Sequence, residues 1–350
     1  MQRITIIGLG LIGGSIGLGL RQWSQENSKS GEESIQVTGF DTDLEQQHYA
    51  QKIKAVDKTE WNLEKAVRDA DLVVVAAPVR AIRETFEDIA PHLHHGAIVT
   101  DTGSTKTDVL TWANELLPRT VSFVGGHPMA GKAQSIEGAE ATLFKEATWC
   151  IAPSPYASED AIRNVLGMVA ALGAEPFFID PVEHDAFVGG VSHLPAILSA
   201  GLVNTVSSDP SWRDMKTLTA GGFRDMSRLA AGSPAMHRDI VLTNRDAVNR
   251  WIGAMITQLE DFRAMLNGDE EQASEAINSF FEKARDVRAE WATQTTREGE
   301  LLQGTEMDLT KERFGDQMSR MLLGGLGGRR RKLTERSDKE SSNGKSRPPR

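Results

Sequence analysis

Ile4-Thr5-Ile6-Ile7-Gly8-Leu9-Gly10-Leu11-Ile12-Gly13-Gly14 opens the chain with a short β-branched run, a glycine-rich turn and the beginning of an apolar helical stretch that continues to Leu20. Gly8, Gly10 and Gly13 form a Gly-x-Gly-x-x-Gly string that carries little meaning alone. Between a strand and a helix it has a physical role: the glycines permit the turn, admit a pyrophosphate close to the backbone, and let helix and strand pack. The helix start at Leu11 and Ile12 adds N–H donors and the positive end of the helix dipole. The same stretch, Thr5 to Leu20, is the only one that resembles a signal or membrane span. Seven of its sixteen residues are glycine or serine, which strand-turn-helix explains better.

Outward from this unit the pattern repeats. After a polar insertion, Ile35–Phe40 forms a second strand ending at Asp41, and Leu72–Pro78, Ala97–Asp101, Val121–Val124 and Pro176–Ile179 read as further strands alternating with helical stretches. Continuous apolar runs fit parallel strands covered on both faces. The fold class is therefore α/β: a Rossmann-type parallel-sheet nucleotide-binding domain over residues 1–180, then an all-helical dimerisation domain over 181–305 and a basic tail over 306–350. Such sheets bind ligands beyond the carboxyl ends of their strands, where Asp41, Asp101, Ser104 and His127 all fall.

Each of these residues has a chemical reading beside a plainer one. Asp41 can accept bonds from ribose hydroxyls and repel a 2′-phosphate, which favours NAD over NADP; a solvated strand-end aspartate leaves the choice open. His127 lies in Gly125-Gly126-His127-Pro128-Met129-Ala130-Gly131, where Pro128 marks the exit of a turn rather than a central strand. It is either a positioned acid–base group or a turn residue with a satisfied ring. Ser104, in Asp101–Lys106, is a helix N-cap or a hydroxyl sharing a substrate hydroxyl with His127.

The helical half offers Val191-Ser192-His193-Leu194-Pro195, whose proline implies a kink and freed carbonyls. His193 is a core histidine or a substrate ligand. His184 stands about 180° from it on a straight helix, so the two cannot share a metal there, and no metal site is indicated. In Gly221–Arg228, Arg224 and Arg228 share a face and Asp225 can hold Arg228 at i,i+3, as a structural salt bridge or as a carboxylate-binding pair. Ser233-Pro234 starts a helix expected to run about 30 residues, with Val248, Trp251, Ile252, Met255, Ile256, Leu259, Phe262 and Leu266 on one stripe. Another stripe carries Ile277, Phe280, Phe281, Ala284, Val287 and Trp291. Apolar stripes of this length point to a homodimer core.

The 350 residues carry a net charge of −10, yet Gly324–Arg350 holds nine Lys or Arg against three Asp or Glu. The remaining acidic body argues against nucleic acid as a partner. The tail reads as a disordered solvated extension, with an electrostatic tether as the alternative. Cys150 is the only cysteine, which excludes an internal disulfide and a multi-cysteine zinc site; its apolar neighbours fit a buried strand thiol. A cytoplasmic protein without membrane attachment is expected.

Taken in order, the glycine motif, Asp101–Lys106, Gly125–Gly131, Val191–Pro195 and Gly221–Arg228 resemble the prephenate and arogenate dehydrogenases of tyrosine biosynthesis, across roughly residues 1 to 300. The resemblance implies oxidative decarboxylation of a cyclohexadienol, a small-molecule substrate. Hydride passes to NAD from the carbon bearing the hydroxyl, carbon dioxide leaves the opposite carbon, and the product is tyrosine or 4-hydroxyphenylpyruvate. It implies that His127 accepts the hydroxyl proton, Ser104 orients that hydroxyl, Arg228 binds a substrate carboxylate, His193 contacts substrate and Asp225 supports the arginine, with no metal. Two departures concern the substrate side chain. Lys132-Ala133 replaces the Thr-Glu of many prephenate-using relatives, and His237 stands where some have tryptophan. The missing glutamate leans slightly toward arogenate, although Lys132 would repel its ammonium. No chorismate mutase segment precedes the first strand, so a monofunctional enzyme is expected. The alternatives are another β-hydroxyacid-type NAD-dependent dehydrogenase and a non-catalytic NAD-sensing protein.

Overall fold

The computed structural model describes residues 2–27, 35–132 and 134–305, with side chains of the final helix as far as residue 293. The first part alternates β1 (Gln2–Ile7), α1 (Leu11–Asn27), β2 (Ile35–Phe40), α2 (Leu44–Lys52), β3 (Lys58–Thr59), α3 (Leu63–Val67), β4 (Leu72–Val75), α4 (Ala81–Ile89), β5 (Ile98–Asp101), α5 (Thr107–Leu116), β6 (Ser122–Pro128), β7 (Thr148–Pro153), α6 (Glu159–Ala171) and β8 (Glu175–Phe178). They form one sheet in the order β3-β2-β1-β4-β5-β6-β7-β8. The strand pattern implies a parallel sheet, but β6 and β7 pair antiparallel, so the last two strands run against the rest.

Period-2 alternation decides how the strands are buried. In β4, Leu72 and Val74 join one apolar layer with Ile16 and Leu20 of α1 and Val165 and Val169 of α6. Val73 and Val75 face the other, against Ile82, Phe86 and Ile89 of α4 and Val109 and Ala113 of α5. Because β1 lies between β2 and β4, the connections leave it in opposite directions, and this switch point opens a crevice at the strand ends. Gly8 stands there with φ of +92°, and an added Cβ would lie 2.5 Å from the Ala76 carbonyl oxygen. A Cβ on Gly13 would lie 1.9 Å from the Gly8 oxygen, so both positions are closed to larger residues.

Beyond the sheet all described structure is helical. α7 (Pro181–Val188) passes through a π turn, Gly189–His193, into α8 (Leu194–Ser207); α9 (Trp212–Met215), α10 (Gly221–Ser227), α11 (Pro234–Thr243), α12 (Arg245–Met265) and α13 (Glu270–Thr305) follow. Pro181–Ser207 is 27 residues long and apolar enough to cross a membrane by length and composition, so Thr5–Leu20 is not the only such stretch. Here it holds buried His184, Asp185 and His193. The single helix expected after Ser233 is two helices. Ser233 caps α11 and Pro234 opens it, but buried Asn244, at φ −137° and ψ 40°, breaks the run before α12. The described residues form two compact units that divide after Leu259. In the second, Phe262 packs against Phe280 and Phe281, while the stripe of α13 leaves Phe281, Val287 and Trp291 exposed. Ala133 and the basic tail lie outside the described residues.

Candidate active site

His127 is not on a loop. It lies within β6, opposite Cys150 of β7, with Pro128 opposite Trp149, which corrects the turn expected from Pro128. The reason lies in the ladder. β5 pairs with β6 only as far as Thr100 and Val124, so beyond Val124 the strand is held by β7 alone and a proline is tolerated. Where the β5 backbone ends, its last side chain takes over: Asp101 Oδ1 accepts the Gly126 N–H at 3.1 Å. Asp101 Oδ2 accepts the Gly103 N–H at 2.8 Å and the Lys106 ammonium, and both members of this ion pair are 0% exposed. One carboxylate thus fixes the Ser104 loop and the His127 strand to each other. Cys150 is buried as expected.

Ser104 is half-buried three residues past β5, and it caps no helix. α5 begins at Thr107, and the cap comes from far along the chain. Asp185 on α7 accepts the Lys106 N–H at 2.8 Å and the Thr107 N–H at 2.9 Å, a carboxylate at the positive helix end. Burial pushes the Asp185 carboxyl up, but hydrogen bonds from His184, Thr107 and Lys106 outweigh it and hold the group below the ordinary carboxylate range.

Asp185 also meets His184, whose Nδ1 lies 2.8 Å from Oδ1, and His184 Nε2 lies 2.9 Å from His127 Nδ1. Burial drives the His127 imidazole well below the ordinary histidine range, and His184, Lys106 and His193 add to this by charge. His127 is neutral at pH 7. The π turn brings His193 into the same neighbourhood. It absorbs one residue beyond the α-helical repeat, and nine positions then advance by about 80° rather than 180°. His193 Nδ1 lies 3.1 Å from Asn244 Nδ2, and its buried Nε2 has no partner among the described residues. Burial, reinforced by His184 and His237 and opposed by Asp185, lowers His193 to about 4.

At the switch point, Asp41 is half-buried; its Oδ2 accepts the Leu9 N–H at 2.6 Å and Oδ1 the Asp43 N–H at 2.9 Å, which ties the glycine turn to β2. The fit to a dinucleotide is tested at Gly10. A Cβ there would meet no protein atom within 4 Å, so the fold does not require glycine, whereas a pyrophosphate against the backbone would. The first N–H groups of α1, Leu11 to Gly13, lack intrahelical acceptors and lie at this crevice.

Arg224, Asp225 and Arg228 are exposed on α10 and the 3-10 turn after it. No ion pair joins Asp225 to Arg228 among the described residues, contrary to the i,i+3 expectation. α10 ends at Ser227, so the spacing does not stay helical, and exposed pairs gain little from closing. Lys132 pairs with Glu140 at 2.8 Å. His184, Asp185, Asn244 and the Asp101–Lys106 pair are the site residues that sequence reasoning missed. The adjacent His184-Asp185, directly before the uncharged run from Ala186 to Ser192, was the available signal.

A doubly wound sheet with a glycine turn at its switch point and a neutral imidazole beyond the next strand ends defines a nicotinamide-nucleotide-dependent dehydrogenase. The family model of the prephenate dehydrogenase nucleotide-binding domain matches residues 27–177, and that of the prephenate dehydrogenase dimerization domain matches residues 180–283. The prephenate dehydrogenase of Bacillus subtilis is 33% identical over 81% of this chain and 75% of its own. The crystal structure of the A. aeolicus prephenate dehydrogenase, in complex with hydroxyphenyl propionate and NAD+, superposes with a TM-score of 0.74 at 28% identity, covering 83% of this chain and 98% of that one. The Synechocystis arogenate dehydrogenase gives 0.68 at 26% identity, over 83% and 100%. The chain belongs to the prephenate dehydrogenase family, and it is an NAD(P)-dependent dehydrogenase catalysing oxidative decarboxylation.

Proposed function

We propose that the enzyme oxidises and decarboxylates a cyclohexadienol with His127 as general base, with NAD as the preferred dinucleotide and arogenate as the better substrate. The observation that carries the base assignment is the place of His127 at the carboxyl end of the sheet, locked by Asp101 beside the Ser104 loop, where burial holds its imidazole well below the ordinary histidine range. Ser104 orients the substrate hydroxyl, His193 contacts the substrate, and Arg228 binds a carboxylate. A dinucleotide held by Gly8, Gly10, Leu11, Ile12, Gly13 and Asp41 supplies the hydride acceptor. Preference for NAD follows from Asp41, whose charge opposes a 2′-phosphate. Arogenate is supported by Lys132: its charge, which would repel an ammonium, is already engaged by Glu140.

The match to the family's dimerization domain and the exposed Phe281, Val287 and Trp291 support a homodimer through the helical part. The proposed domain limits are 1–180 and 181–305, and the proposed location is the cytoplasm. Steady-state rates with prephenate and arogenate, each with NAD and NADP, test the reading. NADH formation fastest from arogenate is expected; a clear preference for prephenate overturns the substrate choice, and one for NADP overturns the role of Asp41. His127→Asn is expected to lower kcat by about 10²- to 10⁴-fold while the Kd for NAD stays near wild type.

A further inference from the structure

The assignment of His127 as base leaves open why the correct ring nitrogen is bare. A neutral imidazole carries one N–H, and only the nitrogen without it accepts a proton. Three constraints in the hydrogen-bond network fix which one. The Asp185 carboxylate is ionised and has no proton to give, so His184 Nδ1, 2.8 Å away, donates to it. An imidazole with one proton that donates from Nδ1 accepts at Nε2. His127 Nδ1, 2.9 Å from that atom, is consequently the donor, and His127 Nε2 holds the lone pair.

Residue 185 constrains the second histidine through its backbone. Asn244 Nδ2 lies 2.7 Å from the Asp185 carbonyl oxygen, which only accepts, so the amide nitrogen and not its oxygen occupies this position. The other amide hydrogen points to His193 Nδ1 at 3.1 Å, making that nitrogen the acceptor and placing the His193 proton on Nε2. This Nε2 is the buried atom with no partner among the described residues. A buried donor left unsatisfied is costly, and a substrate oxygen placed there relieves it.

We propose that Asp185 is the positioning residue that sets the tautomers of both site histidines, through His184 on one side and Asn244 on the other. His127 thereby offers a proton acceptor, and His193 a donor to a substrate oxygen. The proposal rests on the reading of His127 as base. In the reaction the substrate O–H bond breaks and a bond from that proton to His127 Nε2 forms, as the C–H electron pair leaves as hydride to the dinucleotide. The positive charge on the imidazolium is then shared through Nδ1 with His184 and the Asp185 carboxylate.

Long-range nitrogen–proton correlation NMR on ¹⁵N-histidine-labelled enzyme, assigned with H127N, H184Q and H193Q, reads the tautomers directly. The expected wild-type spectrum has His127 bare and His193 protonated at Nε2; the reverse state at His127 overturns the proposal without any functional assay. In D185N the uncharged amide, which can present either oxygen or nitrogen, no longer enforces a donor at His184 Nδ1, and the His127 proton is expected to populate Nε2. A fall in kcat of about 10²- to 10⁴-fold should accompany it, with Kd for NAD near wild type and Tm lowered, because an amide cannot accept both the Lys106 and the Thr107 N–H groups. H184Q, which leaves the Asp185 cap on α5 intact, is expected to lose kcat similarly and carries the kinetic test if D185N fails to fold. Wild-type kcat in a folded variant, together with an inactive H127N, sinks the tautomer lock. Undiminished turnover in H127N sinks the base assignment itself.

Discussion

Asp101 and Lys106 place the heaviest energetic demand on single residues in the site. Both are fully buried, and the attraction between them repays desolvation only because Asp101 also accepts two backbone N–H groups. Removal of one partner leaves an unpaired charge in the interior, which costs about 3–5 kcal/mol. Lys106→Met is therefore expected to lower stability by that amount in denaturant melts. It also deletes a cation that disfavours protonation of His127, so the acid limb of kcat/KM is expected to move toward higher pH. A neutral effect on both measurements would separate Lys106 from the site. The sequence displays Asp101 and Lys106 in a single motif, but not their function. The interaction that matters runs from Asp101 to Gly126, across two strands whose register ends at Thr100 and Val124, and no local spacing encodes it.

At the scale of elements, the helical elements disclose most about what can be read ahead of structure. Ser233-Pro234 states its own helix start, and a strand flanked by glycines states the turn after β1, because each is a local backbone preference. The break at Asn244 has no such local signature, and the π turn has only a partial one in Pro195, which has no N–H to close the turn before it. They exist because Trp251 of α12 packs on the π turn, with its Nε1 donating to the Ala186 carbonyl oxygen at 2.9 Å, while Asn244 reaches Asp185 and His193. Gly189-Gly190 is a second trace in the sequence, since a Cβ on Gly190 would approach the Trp251 ring to 2.6 Å. Gly190→Ala is accordingly expected to destabilise by about 1–3 kcal/mol by overpacking. It should also lower kcat, because the turn sets the side on which His193 stands. Gly190→Ala with Trp251→Phe, which trims the ring at the contact, should recover part of both; no recovery would place the strain elsewhere. The β6 strand followed the same logic, as a proline that locally forbids a central strand is admitted where β5 has already ended.

For the whole molecule, burying imidazoles in the site ties folding to pH. His193 at about 4 and His127 well below its ordinary value bind protons less readily folded than unfolded, where histidine titrates near 6.5. As pH falls below about 6.5 the unfolded chain takes up protons that the folded one refuses, and stability declines. Asp185, also depressed when folded, adds a further loss below the ordinary carboxylate range. The His193 contribution is fully present at neutral pH and is lost progressively down to about 4, on the order of 3 kcal/mol at most. Wild-type Tm, measured at fixed protein concentration because oligomerisation shifts it, should therefore fall steeply between pH 6.5 and 4.5. His193→Gln, which keeps a buried donor but cannot titrate, should flatten that slope while lowering Tm at pH 7.5. The catalytic and structural demands then meet in one variant. If wild type and His193→Gln lose stability in parallel across this window, the acid sensitivity belongs to other groups, and the depressed imidazole of His193 is not what the fold is carrying.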